Sequence, residues 1–165
     1  MSMDDVYGKP GHLFRRMQQI AVAIFMEECA TFELTPVQYA ALVAIREHPG
    51  IDATRLSSIV AFDRSTIGDV LERLESKELI VRRSTSEDRR LKLLNLTSRG
   101  RNVLAAILPA VDRAQERMLA PLSPSERRKL VQLLSALVDC NNESSRAPRR
   151  LMQAAGTQAA ARARA

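Results

Sequence analysis

Cysteine, histidine and glycine are scarce in this chain of 165 residues, and each shortage removes a class of function. Cys29 and Cys140 stand far apart, and with His12 and His48 as the only histidines no CxxC or HxxxH spacing for a metal can be assembled. Six scattered glycines form neither GxGxxG nor GxxxxGK, so no cradle for a nucleotide cofactor is encoded, and GxSxG is missing too. No cofactor is implied, and the chain does not read as an enzyme. Long apolar runs are also lacking. The longest, Ile20 to Met26, falls well short of the ~20 residues that a bilayer-spanning helix requires. The opening Met1-Ser-Met-Asp-Asp is acidic where a secretory leader is basic, so a cytoplasmic location is expected.

What is present is a composition 45% apolar, enough to bury the core of one domain, and a net charge of +6 carried mainly by arginine. The charge is concentrated in two places. Residues 143–165 hold Arg146, Arg149, Arg150, Arg162 and Arg164 against Glu143. The stretch from Leu79 to Arg101 holds Arg82, Arg83, Arg89, Arg90, Lys92, Arg99 and Arg101 against Glu87 and Asp88, a local anion-binding signature.

Periodicity predicts a first helix from about Pro10 to Thr31 whose middle is apolar all round and so needs cover from a second subunit. Thr35-Pro36-Val37-Gln38 signals the start of a second helix, with Tyr39, Leu42, Val43 and the stem of Arg46 as its inward stripe. Asp52 caps a short third helix and Asp63 a fourth, in which Ile67, Val70, Leu71 and Leu74 follow i, i+3, i+4, i+7 spacing. Two short helices joined by a tight turn make a helix-turn-helix. Residues 80–85 and 91–96 read as a hairpin with a charged tip, the wing of a winged motif. Thr97 caps a long fifth helix that Pro109 should bend, and Ser123 opens a sixth carrying Leu130, Leu134, Leu137 and Val138. The expected fold is mainly α with a small β-hairpin wing. Residues 35–96 read as its winged helix-turn-helix unit, and a basic, disordered tail is expected over 143–165.

The string Asp63-Arg-Ser-Thr-Ile67, continued through Leu71, Leu74, Leu79 and Ile80, is followed by Asp88-Arg-Arg90, Leu96-Thr97 and Gly100. This ordered set resembles the MarR family of winged-helix bacterial transcription regulators. The opening Gly11 to Ile20 resembles a subgroup that governs degradation of aromatic acids, some members responding to the free acid and some to a coenzyme A thioester. The resemblance implies a homodimer built from the first, fifth and sixth helices, so that residues 10–34 and 97–142 form the dimerisation region and 35–96 the DNA-binding domain, two winged lobes, and an effector crevice between the dimerisation and DNA-binding parts. The expected function is a repressor released from a palindromic DNA operator by a small aromatic carboxylate or its acyl-CoA.

On the fourth helix the residues left outward are candidates for contact with DNA: Arg64, Ser65, Thr66, Gly68, Asp69 and Arg73. The alternative is that Ser65 and Thr66 merely complete the helix cap. In the wing the candidates are Arg82, Asp88 bracing the tip, Arg89 on phosphate and Arg90 in a narrow minor groove. For the effector they are His12, Arg16, Gln19 and Tyr39, with Phe25 as an apolar wall. Two alternatives stay open: a redox regulator acting through Cys29 or Cys140, and a winged-helix module that binds protein instead of DNA.

Overall fold

The computed structural model describes residues 2–84 and 91–150, with the side chain of Arg64 excepted. The chain runs α1 (Met3–Tyr7), α2 (Pro10–Glu28), α3 (Pro36–Glu47), β1 (Ile51–Asp52), α4 (Ala53–Val60), α5 (Arg64–Ser76), β2 (Ile80–Ser84), β3 (Lys92–Leu96), α6 (Ser98–Leu119) and α7 (Pro124–Cys140). The expected mainly helical fold with a small β wing is present.

Helix starts follow the capping chemistry. Thr35 accepts from the Gln38 N–H at 3.3 Å while the Gln38 side chain accepts from the Thr35 N–H at 3.1 Å. Asp52 accepts from the Arg55 N–H at 2.9 Å, and Thr97 from the Gly100 N–H at 2.9 Å. α2 stops earlier than Thr31: its last turn tightens into a 3₁₀ turn, Ala30–Phe32, and Glu33 leaves it with φ 51°. α1 and β1 are additions to the sequence reading. β1 is only two residues long, too short to show a period.

The sheet order is β1-β3-β2, antiparallel throughout, with Ile51 opposite Leu94 and Arg82 opposite the same leucine on the other side. Leu94, Leu56, Ile67, Leu71, Leu74, Leu42 and Ile45 fill the core of the winged lobe. The inward stripe of α3 differs from the expected one. Gln38, Ala41, Leu42, Ala44 and Ile45 are buried, Tyr39 and Val43 lie at the margin, and Arg46 is exposed. Leu42 and Ile45 supply the bulk that this face buries, and Ala41 and Ala44 complete the stripe beside them.

Gly100 joins the winged lobe to α6. A Cβ at this position would lie 2.0 Å from the carbonyl oxygen of Leu79, so only glycine permits the contact. α2 packs along α6, and Arg113 and Arg117 of α6 pair with Glu28 at 3.3 and 3.2 Å, Arg117 also with Glu27 at 2.7 Å. α6 runs unbroken through Pro109. No residue of α7 is fully buried among the described residues: Val131, Leu133, Leu134, Leu137 and Val138 are all exposed, as are Leu13, Phe14, Met17 and Ile20 of α2. Residues 143–150, placed by the sequence in the tail, fold back so that the Arg150 N–H donates to the Ser58 carbonyl at 2.9 Å. No described helix is long and apolar enough to cross a membrane.

Candidate nucleic-acid interface

α5 presents one face to the core through Ile67, Val70, Leu71 and Leu74 and turns Ser65, Gly68, Asp69, Glu72 and Arg73 outward, with Thr66 half-buried. Asp63 sets its start. The backbone N–H of Thr66 donates to Asp63 at 3.0 Å and the Ser65 hydroxyl at 2.7 Å, and these bonds hold the carboxyl at about 2. The Ser65 hydrogen is therefore committed to the cap, and what it offers a ligand is its acceptor lone pairs. Gly68 is open: a Cβ there meets nothing within 4 Å, so internal packing gives no reason for the glycine. Close approach of an external backbone is a use for that space.

In the wing, Arg82 and Arg83 take opposite faces of β2. Arg82 turns to α5 and lies 2.9 Å from the Glu75 carboxylate, with 25% of its side chain exposed. Arg83 is exposed and, among the described residues, has no ion pair, a difference that only the strand register decides. Lys92 donates to the Ser84 hydroxyl across the ladder at 2.7 Å. Arg99 pairs with Glu78 at 3.7 Å, and Arg101 donates to the Leu96 carbonyl at 2.9 Å. Asp88, Arg89 and Arg90, and the side chain of Arg64, lie outside the described residues.

Thr66, Asp69 and Arg73 also border a crevice of about 540 Å³ between α5, α3 and α2, whose other walls include Gln18, Val22, Val37 and Phe62. None of the five expected effector residues lines it. Arg16 donates to Gln19 at 3.0 Å on the exposed side of α2, and His12 stands edge-on to Tyr7 with ring centres 5.4 Å apart. Phe25 is buried against Tyr39 at 6.0 Å, thirteen residues and roughly 20 Å along the helix from His12. One chain thus brings Phe25 to Tyr39 and Arg16 to Gln19 but does not gather all five. A crevice between the first helix and the winged lobe was expected, but its lining residues were missed because they belong to three helices; the one sequence signal was Asp69 and Arg73, four apart on a single helix face.

Cys29 is buried, and burial first, then the charge of Glu28, pushes its thiol up despite the opposing Arg113, so it is poorly placed to react as a thiolate. Cys140 is exposed at the end of α7.

Residues 34–92 match the profile described as MarR family. The transcriptional repressor NicR of Pseudomonas putida is 31% identical over 85% of this chain and 89% of its own length. The structure of Bordetella bronchiseptica BpsR, described as regulated in DNA binding by 6-hydroxynicotinic acid, is 31% identical with a TM-score of 0.74, covering 81% of this chain and 95% of that one. CouR, a transcriptional repressor bound to a 23-mer DNA duplex, is 27% identical with a TM-score of 0.76, covering 84% of this chain and 98% of that one. The capped recognition helix, the arginine-bearing wing and this extent of likeness together make the chain a member of the MarR family, a winged-helix transcriptional regulator.

Proposed function

We propose that the chain is a cytoplasmic, homodimeric repressor that leaves a near-palindromic operator when a small aromatic carboxylate binds. The observation that carries this reading is the crevice between α2, α3 and α5, because its volume of about 540 Å³ suits a single-ring acid and its wall includes Arg73 of the recognition helix. An arginine holds a carboxylate by paired hydrogen bonds. A ligand seated there presses on the helix that reads DNA, so binding and release are linked through one element. A coenzyme A thioester would fit only its acyl end.

The exposed apolar faces of α2 and α7 serve as the dimer interface, with residues 10–34 and 97–142 as the dimerisation region and 35–96 as the DNA-reading lobe. Ser65, Thr66, Gly68 and Asp69, with Arg64, meet the major groove, and Asp88, Arg89 and Arg90 reach the flanking backbone and minor groove. His12, Arg16 and Gln19 form an outer rim that a partner subunit completes. BpsR supports the effector class, since 6-hydroxynicotinic acid is a ring carboxylate.

A duplex selected from a randomised library by the full chain supplies the operator. Thermal-shift titration with 6-hydroxynicotinic acid, benzoic acid and benzoyl-CoA, followed by release of that duplex, tests the effector. The expected result is stabilisation and a 5- to 150-fold weakening, about 1–3 kcal/mol of coupling, abolished by Arg73→Ala and retained in Arg16→Ala. Loss in Arg16→Ala with retention in Arg73→Ala would move the effector to the outer rim. No enrichment of any duplex would end the DNA-binding reading.

A further inference from the structure

Residues 142–150 fold away from the end of α7 and onto the helix-turn-helix. Asn142 clamps the segment from both sides: its side-chain oxygen accepts from the Arg149 N–H at 2.8 Å and its amide donates to the Arg149 carbonyl at 3.2 Å. The Arg150 N–H reaches the Ser58 carbonyl in the last turn of α4 at 2.9 Å, and Ser145 and Ala147 face Ala61, in the turn between α4 and α5, across a cleft that Leu134 and Leu137 also line. Pro148 removes freedom from the same stretch by fixing its own φ.

Three arginines ride on this segment, and the structure separates them. Arg149 is held by Asp139 at 3.2 Å, and both Nη atoms of Arg150 bond Glu143, one of them at 2.8 Å. Arg146 lies between Ser145 and Ala147, is exposed, and has no ion pair among the described residues. Its neighbours Ser145 and Ala147 face Ala61, two residues before Asp63, the cap of α5. That cap poses a problem for a DNA reader. It places a carboxylate, ionised at any physiological pH, at the end of the recognition helix that enters the groove, where it repels phosphate.

We propose that the fold-back of residues 142–150 makes Arg146 a contact for the operator's phosphate backbone, offsetting Asp63 and adding one anchor per subunit beside the start of the recognition helix. The contact positions without reading sequence, as phosphate contacts do. The proposal rests on the DNA-binding reading above. Failure of the full chain to enrich any duplex would sink that reading first, whereas the outcomes below are measured on an enriched duplex and bear on Arg146 alone.

The experiment measures the dissociation constant of the full chain and its variants for the selected duplex and for a random duplex over a range of salt. Arg146→Ala is expected to make the plot of log affinity against log salt shallower by about 1.8, two counterion-releasing contacts per dimer, and to weaken both duplexes alike. Arg146→Lys keeps the slope. Asn142→Ala, which releases the clamp while keeping every charge, is expected to lose most of what Arg146→Ala loses, with the dimer mass unchanged. An unchanged slope in Arg146→Ala overturns the proposal, and so does a loss confined to the selected duplex. A normal slope in Asn142→Ala beside a shallow one in Arg146→Ala overturns the role of the fold-back, leaving Arg146 as a loose cation only.

Discussion

At residue scale the strongest constraints are a close backbone approach at Gly100 and a charged helix cap at Asp63. Gly100 lets the start of α6 lie against the Leu79 carbonyl, and the sequence marked this glycine without giving its reason, since the contact joins residues twenty-one apart. Gly100→Ala must move backbone to make room and is expected to cost about 2 kcal/mol or more, read as a fall in the urea midpoint without loss of slope. Asp63 is held at about 2 by bonds from Thr66 and Ser65, below its ordinary 3.8. A depressed carboxyl stabilises the fold fully above its ordinary value and loses that contribution as pH falls towards the folded one. Asp63→Asn is thus expected to be less stable than the parent at pH 7 and to converge on it between about pH 4 and pH 2, as followed by thermal unfolding. A gap that stays constant across that range would mean the charge plays no part.

Elements were predicted well where their cause is local. The caps at Thr35, Asp52, Asp63, Thr97 and Ser123 act within three residues, and each one observed is the one expected. The misses are non-local. β1 exists only because β3 lies beside it, and the stripe of α3 is set by the elements packed against it. The wing is tied to the recognition helix by Arg82 and Glu75, a pairing across elements that turns one expected DNA contact into a brace. Glu75→Ala leaves a half-buried guanidinium without its counter-charge and is expected to cost about 1 kcal/mol, most of it recovered when Arg82→Met is added. Equal and additive losses in chemical denaturation would show that the two do not couple.

For the whole molecule, the decisive feature is apolar surface left without cover. Leu137 is 49% exposed and Val138 59% exposed on a helix with no fully buried residue. Leu137→Glu is expected to shift sedimentation from dimer to monomer and to abolish operator binding while the winged lobe keeps its helical signal; a dimer that survives would place the interface elsewhere. If the proposed dimer makes several phosphate contacts per subunit, it should lose about 10³ to 10⁵ in operator affinity between 50 and 200 mM salt.

The chain's own letters determined its caps, its two short helices with their turn, and a basic wing, because each depends on neighbours within a few positions. Folding alone decided which arginine braces the lobe and which faces outward, that Phe25 belongs to the core, which residues line the crevice behind the recognition helix, and that Ser145 and Ala147 come to rest across from the turn before Asp63. Those facts arise from contacts between segments distant in sequence, where packing and the alternation of strand faces choose the partner, and a pattern read over a few neighbouring residues does not reveal that choice.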